Sequence, residues 1–205
     1  MKKLLSMVLA LGMIASINPS VFALSTENVT IIKNEIEISE ILKEKGLYDE
    51  SEEVLAVIEI DKSTPEVSST PSPHRGIFTK DIYVEIDGAY SRTEYSAKFT
   101  HNLPPGSFDL ELPFSSGRIL NDNLGLKVEL FESALGYELN DSTTDKFSYD
   151  SEHYSYPFTV KGHINYDGEY YKVYDKDLIF DDYIGQISVE RETGYTIKVV
   201  KQQVE

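Results

Sequence analysis

The sequence predicts a mainly β protein, an antiparallel β-sandwich of seven or eight short strands with a short helical segment near its N-terminus. Three observations carry this. From Ile77 onward, apolar and polar residues alternate in short runs. Turn signals separate the runs: Asp87-Gly88, Pro104-Pro105-Gly106 and Asn165-Tyr166-Asp167-Gly168. Fourteen tyrosines and no tryptophan suit strands with one face near water.

Residues 1–23 read as a secretory signal peptide. Lys2 and Lys3 form a basic start, Leu4 to Ile17 is apolar, and Val21-Phe22-Ala23 is a small-residue cleavage signal, with cut after about Ala23. The expected location is therefore extracellular. The apolar run is shorter than the roughly 20 residues of a spanning helix, and no later segment is apolar enough to anchor the mature chain. Without Lys2 and Lys3, 17 basic residues face 35 acidic ones. Such a surface repels phosphate, so no nucleic-acid partner is expected. The chain has no cysteine, which rules out disulfides and a cysteine-linked lipid anchor.

Residues 24–60 are expected to form a short helix and a strand. Ser39 is a candidate cap, Ile41 and Leu42 an apolar edge, Lys43 and Lys45 suit the last turn, and Gly46 is a natural stop. Glu53 to Ile60 fits either a helix face or a strand, and its β-branched residues favour strand. Residues 61–76 are rich in Ser, Thr and Pro and read as a linker or long loop. The β domain follows over 77–205. Its expected strands are Ile82–Ile86, Phe108–Leu112, Leu124–Phe131, Tyr154–Val160, Glu169–Tyr174, Ile187–Val189 and Tyr195–Val200.

One stretch points at chemistry. Asp175, Asp177, Asp181 and Asp182 fall within eight residues, just after the strand that ends at Tyr174. Residues two apart on an extended backbone share a side, so Asp175 and Asp177 would stand together. Two carboxylates 4 Å apart repel by about 1 kcal/mol in water and by more in a less polar site. A cation would relieve that cost, and calcium is the natural extracellular choice because it takes six to eight oxygens in flexible geometry. The alternative is a solvated acidic loop.

Val173-Tyr174-Asp175-Lys176-Asp177, followed by Asp181-Asp182-Tyr183-Ile184-Gly185, resembles the third calcium loop of the C-two domain, the second conserved region of protein kinase C. Asp81-Ile82-Tyr83-Val84-Glu85-Ile86 similarly resembles that family's Asp-Pro-Tyr-Val strand, with Ile82 in the proline position. The resemblance covers about fifteen residues at its best. It implies an eight-stranded sandwich, calcium bound by Asp81, Asp175, Asp177 and Asp182, and calcium-dependent contact with membranes. Val128 to Glu132 is a rival for the strand that precedes the calcium loop.

Catalysis has little support in the sequence. His74, His101, His153 and His163 form no nucleophile or metal pattern, and no Gly-rich phosphate loop is present. Tyr154, Tyr156, Tyr166, Tyr170, Tyr171 and Tyr174 are open to a ligand-binding reading and to ordinary cross-strand contact. Asn28-Val29-Thr30 and Asn140-Asp141-Ser142 are glycosylation sequons. The expected function is a secreted, non-enzymatic binding protein. It would hold calcium at one end of the sandwich and engage a cell-surface component, lipid or protein there. The alternatives are a metal-independent module that binds carbohydrate or protein through surface tyrosines, and a structural envelope or matrix component.

Overall fold

The computed structural model describes residues 29–62, 82–115, 117–139, 144–176 and 181–203. The signal-peptide positions, 63–76 of the expected linker and the sequon asparagines lie outside them, while Asp61 is strand. Strand β1 (Val29–Ile32) leads into helix α1 (Glu35–Glu44) and strand β2 (Val54–Asp61). Long β3 (Ile82–Leu103), β4 (Asp109–Ser115), β5 (Arg118–Asn121) and helix α2 (Val128–Leu135) come next. Strands β6 (Thr144–Asp150), β7 (Phe158–Lys176) and β8 (Asp181–Lys201) complete the order. The strands form two antiparallel sheets. One is six-stranded, in the order β1-β2-β8-β7-β3, with β5 also paired to β8; the other is the ribbon β4-β6.

The N-terminal segment belongs to the larger sheet. Residues 54–61 pair with 194–200 of β8. Ala56, Val57, Ile58 and Ile60 are all buried, because Val57 meets α1 while the others face the β4-β6 side. Burial on both faces explains why this run fits two periodicities. Helix α1 starts earlier than expected. Asn34 is its cap, with Oδ1 accepting from the Ile36 N–H at 2.9 Å and the Glu37 N–H at 3.3 Å. Ser39 lies inside the helix. Gly46 does follow the helix end, at φ 68°, where a side chain would be strained.

Two sequence expectations fail in an instructive way. Leu124–Phe131 is no strand: Val128–Leu135 is helical, ending at Gly136 with φ 79° and an N–H bond to the Glu132 carbonyl at 2.8 Å. Val128, Phe131 and Leu135 fit helical spacing as well as Leu126, Val128 and Leu130 fit alternation, and burial of Phe131 and Leu135 selects the helix. Val128–Glu132 therefore cannot be a strand before a calcium loop. Second, Asp87-Gly88 and Asn165–Gly168 make no turns. The first is a register shift inside β3, and the second lies within continuous β7. Tyr154–Val160 becomes strand only from Phe158, with Tyr154 bridging to Gly106.

β3, β7 and β8 run side by side for about twenty residues each, and the larger sheet changes its covered face along their length. Near Phe158, the face carrying Phe158, Val160, Tyr195, Ile197 and Val199 lies under β4-β6, against Leu110, Leu112, Phe114 and Phe147. Near the β7–β8 hairpin, the opposite face, with Tyr171, Val173, Ile187 and Val189, lies against Phe131, Leu135 and Leu139 of the α2 region. A third, smaller cluster joins Ile38 and Leu42 of α1 to Ile32 and Val57. Burying such side chains contributes about 1.5–3 kcal/mol each, so both covers matter to stability. Where the cover changes sides, the formerly buried face of the sheet opens. Within the described residues no helix is long and apolar enough to cross a membrane.

Candidate binding face

The hairpin of β7 and β8 places the aspartates. Asp175 pairs with Asp182 across the strands, and Lys176 pairs with Asp181. Cross-strand partners share a face and neighbours alternate. Asp175 and Asp182 therefore stand together on one side. Asp181 points to the other, the side of Lys176 and Tyr83, where burial first and then the Asp181 carboxylate raise the Tyr83 pKa. Asp81 and Asp177 lie outside the described residues, as do Leu178, Ile179 and Phe180. Among the described residues no three His, Cys, Asp or Glu side chains come together as a metal-holding group.

Asp181 belongs to a larger surface. On the face away from α2, register aligns Tyr83 of β3 with Tyr174 of β7 and Tyr183 of β8. The Tyr83 and Tyr174 rings stack at 4.9 Å and 9°, and Tyr183 meets Tyr174 edge-on at 5.7 Å. Further along, Tyr90 and Tyr170 stack at 4.5 Å. Gly168 permits this approach, since a Cβ there would overlap the Tyr90 ring. Tyr183 is 58% exposed and Tyr170 39%. Because the rings lie against one another, they stand as a ridge, with Tyr170 and Tyr183 its most exposed members. Tyrosines in this arrangement offer apolar area and hydrogen bonds with few rotatable bonds to immobilise.

Polar pairs brace the ridge. Lys172 bridges to Asp87, and Gln186 Nε2 donates to Asp87 Oδ2 at 2.7 Å. Glu190, only 6% exposed, anchors the far end. It accepts from the Tyr90 hydroxyl at 2.6 Å and from Arg92 Nε and Nη2 at 3.2 and 2.6 Å. The Arg92 hydrogen bonds, with Tyr90's, hold the Glu190 carboxyl below its ordinary range despite burial. Arg92 in turn lies 4.3 Å over the Tyr166 ring. Beside Tyr170, an open hollow of about 460 Å³ is lined by Asn121, Asp122, Asn123, Gln186 and Ser188.

Of the tyrosines singled out in the sequence, Tyr166, Tyr170 and Tyr174 reach this face. Tyr154 and Tyr171 are core residues, and Tyr156 is exposed elsewhere. Tyr83, Tyr90 and Tyr183 escaped notice. Spacing within β7 flags its own tyrosines, but their partners come from register between strands far apart in sequence. The histidines are not uniformly superficial: His163 is 4% exposed, with Nδ1 3.3 Å from the Thr196 carbonyl.

No family model matches the chain, and no curated protein matches it. Among solved structures, a putative pore-forming toxin from Bacteroides vulgatus is similar at 12% identity and TM-score 0.30, over 62% of this chain and 58% of that one. The chain thus spans less than two thirds of that structure. A likeness at this level carries no functional argument.

Proposed function

We propose that this protein is a secreted, non-enzymatic binding module that engages a protein partner at a cell surface through the tyrosine ridge. The observation that supports this reading is the open sheet face bearing Tyr83, Tyr174 and Tyr183 in one row and Tyr90 with Tyr170 in another. Tyrosine is enriched where proteins meet, and a row of rings standing proud of the sheet suits another protein better than a small ligand. Glu85 and Asp181 along the row favour a partner with basic residues.

A second reading rests on Asp175 and Asp182, which the hairpin places opposite each other. Two like charges in that relation are destabilising, and calcium bound there would relieve them, with Asp177 and Asp81 as further ligands in the C-two-like arrangement. The ion would add calcium-dependent attachment to a lipid or protein surface at the same end of the molecule.

One experiment separates the readings: binding of labelled full-length protein to intact producing cells, with and without chelator. The ridge reading expects binding that persists in chelator and falls at least about tenfold, or 1.4 kcal/mol, in the triple variant Tyr83→Ser, Tyr174→Ser, Tyr183→Ser, with far-ultraviolet circular dichroism unchanged. Equal binding by the folded triple variant overturns it. The calcium reading expects loss in chelator and in Asp175→Asn, Asp182→Asn, together with a melting temperature that rises in millimolar calcium.

A further inference from the structure

On the other side of the sheet, where α2 stops, a cleft of about 600 Å³ opens. Its volume lies within the range of small-ligand sites. Arg118 of β5 and Arg191 of β8 are direct cross-strand partners at its wall. Arg118 lies over the Tyr137 ring at 3.8 Å. Among the described residues neither guanidinium makes an ion pair, whereas Arg92, the third described arginine, holds two carboxylates. Acidic residues outnumber basic ones by 35 to 19 in this chain, so carboxylate partners were plentiful. Like charges placed directly opposite one another destabilise a sheet. Asp167 stands opposite Arg191 on β7, yet the nearby carboxylates make hydroxyl contacts: Asp167 Oδ1 accepts from the Ser91 hydroxyl at 2.8 Å, and Glu169 accepts from Tyr171.

We infer that this cleft binds a hydroxylated carboxylate, such as a uronic acid unit of an acidic glycan, with Arg118 and Arg191 sharing its carboxylate. Guanidinium forks match a carboxylate in two-point geometry. Asp167 and Glu169 select the rest of the ligand. They accept hydrogen bonds from its hydroxyls and repel a more highly charged anion such as sulfate. Tyr137, clasped by Arg118, closes one wall. Tyr90 and Glu190 also border the cleft, whereas Tyr83, Tyr174 and Tyr183 lie apart from it.

Calorimetric titration of the purified full chain with D-glucuronate, D-glucose and inorganic sulfate tests this. Glucuronate is expected to bind at least about tenfold, or 1.4 kcal/mol, more tightly than either of the others. Arg118→Gln and Arg191→Gln should each weaken glucuronate by a similar factor, and the triple tyrosine variant should bind it unchanged. Absence of glucuronate binding, sulfate binding of equal strength, or binding that survives both arginine substitutions overturns the site.

Discussion

The two ends of the long sheet are built from the same three strands and covered on opposite faces. Near Phe158, β4-β6 covers the face of Val160, Ile197 and Tyr195. The reverse face there carries Lys161, His163, Thr196 and Lys198, with Glu52 bound to both lysines. Near the hairpin, α2 covers Tyr171, Val173 and Ile187, and the reverse face carries the tyrosine ridge. Each end thus has one apolar face and one polar face, and the polar faces differ in kind. At the Phe158 end the polar groups are internally paired. Lys198 is 4% exposed and donates to Glu52 Oε2 at 2.6 Å and to the Leu47 carbonyl at 3.0 Å, so its charge is buried and paired within the fold. At the hairpin end tyrosine rings and hydroxyls stay partly exposed. A satisfied polar face stabilises the fold; an open aromatic one is available for recognition.

The largest test of this contrast removes one aromatic from each core. Phe158→Ala and Phe131→Ala should each cost about 3–5 kcal/mol, because both rings are fully buried. β7 and β8 pass through both cores, so urea unfolding should remain one transition in each variant. A separate early transition in Phe131→Ala, with protected amides retained around Phe158, would show that the α2 end opens alone and that the contrast divides the molecule into two units.

A smaller effect, about 3 kcal/mol, is expected for Glu52→Gln, which leaves Lys198 buried without a counter-charge. Denaturant melts should show the loss, and Glu85→Gln on the ridge face should show almost none. Equal losses would remove the distinction between a paired polar face and an open one.

The smallest effect is a pH dependence at the paired face. Burial first, and then the Lys198 charge, lower the His163 pKa below its ordinary 6.5. The unfolded chain therefore takes up the proton first as pH falls. The stability contributed by neutral His163 is fully present above about pH 6.5 and declines as pH drops toward the lower folded value. The melting temperature should fall from pH 7.5 to pH 5.5, and His163→Gln should flatten that slope. Glu52 titrates in a separate, lower window: burial alone would raise its pKa, but hydrogen bonds from Lys161 and Lys198 outweigh it and hold the group below 4.5. A slope unchanged in His163→Gln would place the pH response elsewhere.

Much of the fold was legible in the sequence. The β class, the antiparallel pairing, the strand nature of Val54–Ile60 and the early helix all follow from periodicity and residue type. Strand length was not. In β7, Phe158, Val160 and Ile164 are apolar at even positions, then Tyr171 and Val173 at odd ones, with Asn165–Gly168 between. That reversal of phase looks like a turn between two strands. It is the point where a single strand exchanges one cover for the other. β8 makes the same exchange differently: Ile187, Val189, Tyr195, Ile197 and Val199 keep one parity, and an extra residue at Thr193 rotates the strand so that the first two face α2 and the rest face β4-β6.

The candidate sites divide in the same way. Local order alone brings Asp175 near Asp182, because a hairpin joins them, and sets Tyr166, Tyr170 and Tyr174 on one side of β7, because alternation does so. The ridge and the arginine pair needed register. Tyr83 meets Tyr174 across 91 positions of sequence and Arg118 meets Arg191 across 73. Composition and periodicity report what a segment prefers locally. Which two distant residues stand opposite each other is settled by how both covers seat the strands. A slip of one residue would turn every side chain to the other face and expose both cores.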